Sequence, residues 1–110
     1  MEERWRLHAW HILDCIKKIQ VIEERGSIIN DFVLYDAVLR NLQTLSESTS
    51  HLPDIIKEKY NTLQWKSIIG FRNILVHDYL GEIDSNTVEK ILSEYLPELE
   101  EVIKDITKKK

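Results

Sequence analysis

Arg72-Asn73-Ile74-Leu75-Val76-His77-Asp78-Tyr79 is the stretch on which the reading of this 110-residue chain turns. It sets a guanidinium, an amide, an imidazole and a phenol inside an apolar pattern with no period-2 alternation, so it reads as one segment of a helix. At about 100° per residue, Arg72 and Tyr79 fall nearly in line, and Asn73 and His77 share the adjacent stripe. Ile74, Leu75 and Val76 fall largely on the other side. One edge is then free to hold a core while the opposite edge faces a cleft. The grouping suits phosphate chemistry, because arginine offers a planar fork of donors and histidine changes protonation near neutral pH. The alternative is a polar edge on a core helix, with His77 hydrogen-bonded and Arg72 paired to Glu47 or Asp78.

Working outward, the motif helix is expected from about Leu63 to Tyr79, with Gly70 inside it at a cost of about 1 kcal/mol relative to alanine. Upstream, a first helix is expected from about Glu3 to Glu24. Trp5, Ala9, Ile12, Ile16 and Ile19 form one stripe, and Trp10, Leu13, Cys15 and Ile22 widen it. That breadth suggests contact on two sides, one internal and one with a partner. Arg25-Gly26-Ser27 ends this helix, Gly26 being suited to a left-handed C-cap. A second helix, from about Asp31 to Glu47, carries Tyr35, Val38, Leu42 and Leu45. Ser48 to Pro53 is turn-rich, and Asp54 to Lys59 is at most a short helix. Downstream of Gly81, Asp84 is a suitable N-cap, with Ile83 and Val88 as a hydrophobic staple. The last helix is lined by Val88, Ile91, Leu92, Tyr95, Leu99, Val102, Ile103 and Ile106, with a kink near Pro97. The expected fold is all-α, an up-and-down four-helix bundle with an additional short helix, forming one domain over residues 1–110.

Composition excludes several classes. Apolar residues make up 43% and charged residues 31% of the chain, values ordinary for a globular domain. No stretch approaches the roughly 20 apolar residues of a membrane span, and Glu2, Glu3 and Arg4 do not read as a secretory signal, so a cytoplasmic protein without a membrane partner is expected. Fifteen Lys and Arg against 19 Asp and Glu give a net charge of −4, so any RNA contact has to come from a local basic patch. Lys108, Lys109 and Lys110 are a weak candidate, better read as a solvated helix end. The lone Cys15, in apolar surroundings, reads as an inert core thiol.

Two further groupings carry less. His8, His11 and Asp14 have helical spacing that could ligate a metal, but no companion motif supplies further ligands, and no metal or other cofactor is expected. Trp5, Trp10 and Trp65 could stack on bases, but their spacing with aliphatic residues fits core or dimer contact better. Glu47 is left without a catalytic role.

The order Arg-Asn-x-x-x-His-x-Tyr, preceded by Trp65-Lys66-Ser67-Ile68-Ile69-Gly70-Phe71, resembles the signature of HEPN-domain proteins, specifically the small HepT-like toxins of toxin–antitoxin pairs. Asp36-Ala37-Val38-Leu39-Arg40-Asn41-Leu42 followed by Glu47 is similar to the family's second helix. Tyr79-Leu80-Gly81-Glu82-Ile83-Asp84, leading into a helix with Leu96-Pro97, matches further on. The likeness runs from about Leu7 to Ile106. Gln64 stands where the family often has proline, and the first loop is short.

The resemblance implies a metal-independent ribonuclease toxin, of a type VII-like pair, working as a homodimer on RNA such as tRNA. It implies Arg72 and His77 as catalytic residues, Asn73 in support, and Tyr79 as the tyrosine to which a minimal nucleotidyltransferase antitoxin attaches AMP. A physical argument also favours a dimer. Cleavage needs one group to take the 2′-hydroxyl proton and another to protonate the departing 5′-oxygen, and one chain has a single His77. The alternative is a non-catalytic helical partner, or substrate-binding subunit, of a nucleotidyltransferase.

Overall fold

The structure is a computed structural model that describes residues 4–71 and 85–108, and every described element is helical. In chain order these are α1 (Trp5–Glu24), α2 (Phe32–Thr49), the short α3 (Asp54–Lys59) and α4 (Trp65–Ile69), then α5 (Ser85–Lys90), one π-helical turn (Ile91–Tyr95) and α6 (Leu96–Lys108).

α1 lies at the centre. Its buried positions Ala9, Ile12, Cys15, Ile16 and Ile19 form the stripe expected from the periodicity, and Trp5, Leu13 and Ile22 are half-buried along its flanks. α2 packs along one flank and α6 along the other. Together they cover the buried stripe of α1 from within the chain. Trp10, assigned to the widened stripe, is instead 55% exposed. Each fully buried Ile or Leu contributes about 1.5–3 kcal/mol, so the α1 isoleucines with Val38, Leu42 and Leu45 of α2 and Leu99 and Ile103 of α6 supply most of the cohesion.

The turn between α1 and α2 is set by two residues. Gly26 follows the Arg25 C-cap, whose N–H donates to the Ile22 carbonyl. Its φ of +155° is a positive value that L side chains rarely adopt, which is why glycine stands here. The Asp31 carboxylate then accepts from the Val33 N–H at 3.0 Å and starts α2. α2 runs two residues further than Glu47, to Thr49. Its buried Ser46 and Thr49 hydroxyls donate back to the carbonyls of Gln43 and Leu45, both at 2.9 Å, so neither enters the core unsatisfied. Among the described residues no buried side-chain polar atom lacks a partner.

One helix boundary is corrected, and the irregularity expected near Pro97 takes a definite form. Of the helix expected from about Leu63 to Tyr79, the described part begins at Trp65 and ends at Ile69, with Gly70 as C-cap; positions 72–79 of that expectation lie outside the described residues. The Phe71 N–H bonds the Ile68 carbonyl three residues back, the tightened geometry of a helix end. The last helix is interrupted just before Pro97, where the Leu96 N–H reaches the Ile91 carbonyl five residues back. A proline in mid-helix removes one N–H and crowds the carbonyl four residues earlier, and a π turn relieves that crowding. The inner face of this helix is otherwise as expected: Val88, Ile91, Leu99, Ile103 and Ile106 are buried, and Leu92, Tyr95 and Val102 are half-buried. The N-cap assigned to Asp84 and the staple assigned to Ile83 lie outside the described residues.

Candidate functional site

The motif residues Arg72, Asn73, His77 and Tyr79 lie outside the described residues, and the segment that leads to them, up to Phe71, lies within them. Trp65, Ile68 and Phe71 are all buried. The Trp65 indole N–H donates to the Tyr60 carbonyl at 3.1 Å, fixing the ring at the start of α4. The Tyr60 hydroxyl in turn donates to the Asp105 carboxylate, tying this corner to α6. Phe71 stacks on Tyr95, with ring centroids 5.6 Å apart and planes 19° from parallel. The residue immediately before Arg72 is therefore anchored against the π turn of the last helix. This matters for any chemistry carried by the next residues, since a site is only as precise as the backbone that holds it.

A histidine cluster that the sequence does not advertise joins the two ends of the α1–α2 pair. His8 on α1 stacks on His51, just beyond α2, with centroids 4.3 Å apart and planes 12° from parallel. Burial, then the positive charges of His51 and His11, holds the His8 imidazole below its ordinary value. Glu47 lies 3.8 Å from the His51 Nε2. Arg72, the partner that the sequence offered for Glu47, lies outside the described residues. His51 was missed because its contact with His8 spans 43 positions. The only signal was the turn at Ser48 to Pro53, which ends α2 beside the start of α1.

His11 points elsewhere, its Nε2 3.6 Å from the Cys15 sulfur. Burial pushes the Cys15 thiol up to about 11, so at neutral pH it is a protonated core group and no nucleophile. Among the described residues no group of three or more His, Cys, Asp or Glu side chains converges as a metal site would require, and no helix is long and apolar enough to cross a membrane.

Comparison with known proteins bears on the whole chain. The profile of the family described as HepT-like ribonuclease matches residues 12–106. A protein of Caldanaerobacter subterraneus subsp. tengcongensis, named provisionally as an RNase, is 38% identical over 81 residues, covering 74% of this chain and 71% of its own. A second protein so named, from Methanocaldococcus jannaschii, is 32% identical, covering 82% and 81% respectively. A Shewanella oneidensis protein named mRNA nuclease HepT is 29% identical, with 81% of this chain and 85% of its own in the match. No solved structure gives a significant match.

Proposed function

The chain belongs to the HepT-like ribonuclease family, and from that premise we propose that it is a metal-independent RNA-cleaving toxin whose reacting groups are Arg72 and His77. The observation that carries this reading is that the family match over residues 12–106 includes an intact Arg72-Asn73-x-x-x-His77-x-Tyr79 order.

In this reading two copies meet about a two-fold axis with their motif segments facing, the commonest symmetry for a small homo-oligomer. One His77 takes the proton from a ribose 2′-hydroxyl, whose oxygen attacks the adjacent phosphorus. The His77 of the other copy gives a proton to the departing 5′-oxygen, leaving a 2′,3′-cyclic phosphate and a 5′-hydroxyl. The paired Arg72 guanidiniums hold the phosphorane oxygens and give a protein of net charge −4 the local positive patch that RNA needs. Asn73 orients His77 or binds a phosphate oxygen.

Tyr79 is the control point. A cognate nucleotidyltransferase antitoxin adds AMP to its hydroxyl, setting anionic phosphate beside Arg72 and filling the space of the substrate. The reaction takes place in the cytoplasm, on RNA such as tRNA.

The test is cleavage of total RNA and tRNA by purified protein in excess EDTA, beside Arg72→Ala and His77→Ala. Cutting by the parent, with a loss of at least about 100-fold in each variant, is expected for groups that act on the reacting phosphate. Tyr79→Phe should cut nearly as well as the parent and escape the antitoxin. No cutting by any of them, with Tyr79 shown unmodified by mass spectrometry, would favour the second reading. That reading, a non-catalytic partner of a nucleotidyltransferase, draws on the acidic net charge.

A further inference from the structure

Several apolar side chains face outward on α1 and at the start of α2, and some of them line a groove that the fold leaves open. The trough, about 530 Å³, runs between the C-terminal half of α1 and the N-terminal half of α2. Val21 and Ile22 form its floor on one side, Val33 and Leu34 on the other. Val21 is 42% exposed and Val33 61% exposed, so this surface is unusually apolar for a position so open to water. Lys17, Lys18 and Arg25 stand along the α1 rim. Lys18 is held by Asp14 at 3.2 Å, at the far end, whereas Lys17 and Arg25 make no ion pair among the described residues. On a chain of net charge −4, this is a local concentration of positive charge around an apolar floor.

We propose that the α1–α2 groove docks an acidic amphipathic helix presented by another protein. The α1 side of the groove extends from Asp14 to Arg25, about 16 Å at about 1.5 Å per residue, which is three turns of a helix. A helix laid along it would place apolar residues at i, i+3 or i+4 and i+7 on the valine and leucine floor. Glu or Asp on its flank would meet Lys17 and Arg25, which supplies both steering and register.

Charge and chemistry argue against the other occupants. A second copy docked isologously would set Lys17, Lys18 and Arg25 of each protomer near those of its mate, with Asp14, already paired to Lys18, the one carboxylate among the described lining residues to offset the repulsion. Nucleic acid would find cations but, among the described residues that line the groove, no aromatic side chain to stack a base. The described lining of the groove comes from α1 and α2, and the inference is argued and tested without the nuclease reading.

The probe is a fluorescein-labelled synthetic helix of about 16 residues, with leucines at the anchor positions and glutamates on both flanks, beside a version with lysine flanks. Binding to the whole protein is followed by anisotropy at low salt and in about 0.5 M NaCl. The acidic peptide is expected to bind at least about tenfold more tightly than the basic one at low salt, with the difference shrinking in high salt. Val33→Asp should abolish binding of the acidic peptide, and Lys17→Glu with Arg25→Glu should invert the preference. All three side chains are on the surface, and circular dichroism checks that the variants remain folded. Equal binding of both peptides, no binding by either, or indifference to Val33→Asp would overturn the proposal. Displacement of the acidic peptide by a single-stranded RNA would overturn it in favour of nucleic acid. A parent dimer that Val33→Asp dissociates in sedimentation would overturn it in favour of a second copy.

Discussion

His8 and His51 press two imidazoles together, and a contact of that kind is stable only while at least one ring is neutral. The His8 ring titrates below its ordinary 6.5 because burial, and then the charges of His51 and His11, disfavour its cation. In the unfolded chain the same ring titrates near 6.5. As pH falls below that value the unfolded state takes up a proton that the native state refuses, so the contact's contribution to stability is present above about pH 6.5 and is lost toward the lower folded value. The expected result is that the melting temperature of the parent falls more steeply between about pH 7.5 and about pH 5.5 than that of His51→Gln, with the two curves parallel above that window. Curves parallel throughout the range would mean that the stack is electrostatically neutral. Cys15 is the contrast at this scale: its thiol, raised to about 11, has no titration to offer in the same window.

At the scale of elements, the α1–α2 turn depends on two residues for different reasons. Asp31→Ala removes the carboxylate that satisfies the Val33 N–H and should cost about 1 kcal/mol, within the usual range for an N-cap. Gly26→Ala should cost more, about 1–3 kcal/mol, since alanine is strained at a φ of +155° and its Cβ would sit 3.3 Å from the Leu34 Cδ1. Urea denaturation at constant m-value checks both, and a Gly26→Ala variant as stable as the parent would show that the turn relaxes to a different backbone. These features were partly legible in the sequence. α1, α2 and the last helix announce themselves because their apolar stripes recur at 3.6 residues over many turns, and Pro97 marks its irregularity. The end of α4 was not legible, because a glycine is compatible with both a helix interior and a helix end. Phe71 settles it, through its bond to Ile68 and its packing on Tyr95, a residue 24 positions away. The candidate site shows the same division. Arg72 and His77 stand out by residue type against apolar neighbours, but the stack of His8 on His51 exists only once α1 and α2 have paired.

For the whole molecule, the question is how a chain of net charge −4 with one His77 carries out a reaction that needs an acid, a base and positive charge on phosphate. The proposed answer is symmetry, and symmetry has a measurable signature. If the cleft requires both His77 side chains, a mixed dimer of one parent and one His77→Ala chain has either an acid or a base but not both, and is nearly inactive. Mixing equal amounts of the two, after exchange through dilute denaturant, should then leave about a quarter of the starting activity per mixture relative to the same total of parent, since only parent–parent dimers count. Independent sites, each complete within one chain, would leave about half. A further excess of the variant separates the two laws more widely, because the composite cleft falls with the square of the parent fraction and independent sites fall linearly. The mixing ratio is read in excess EDTA on the same RNA substrate, with sedimentation establishing that the chains associate. A linear dependence would remove the two-histidine cleft while leaving Arg72 and His77 as reacting groups, and the second proton-transfer group would then have to be sought within one chain.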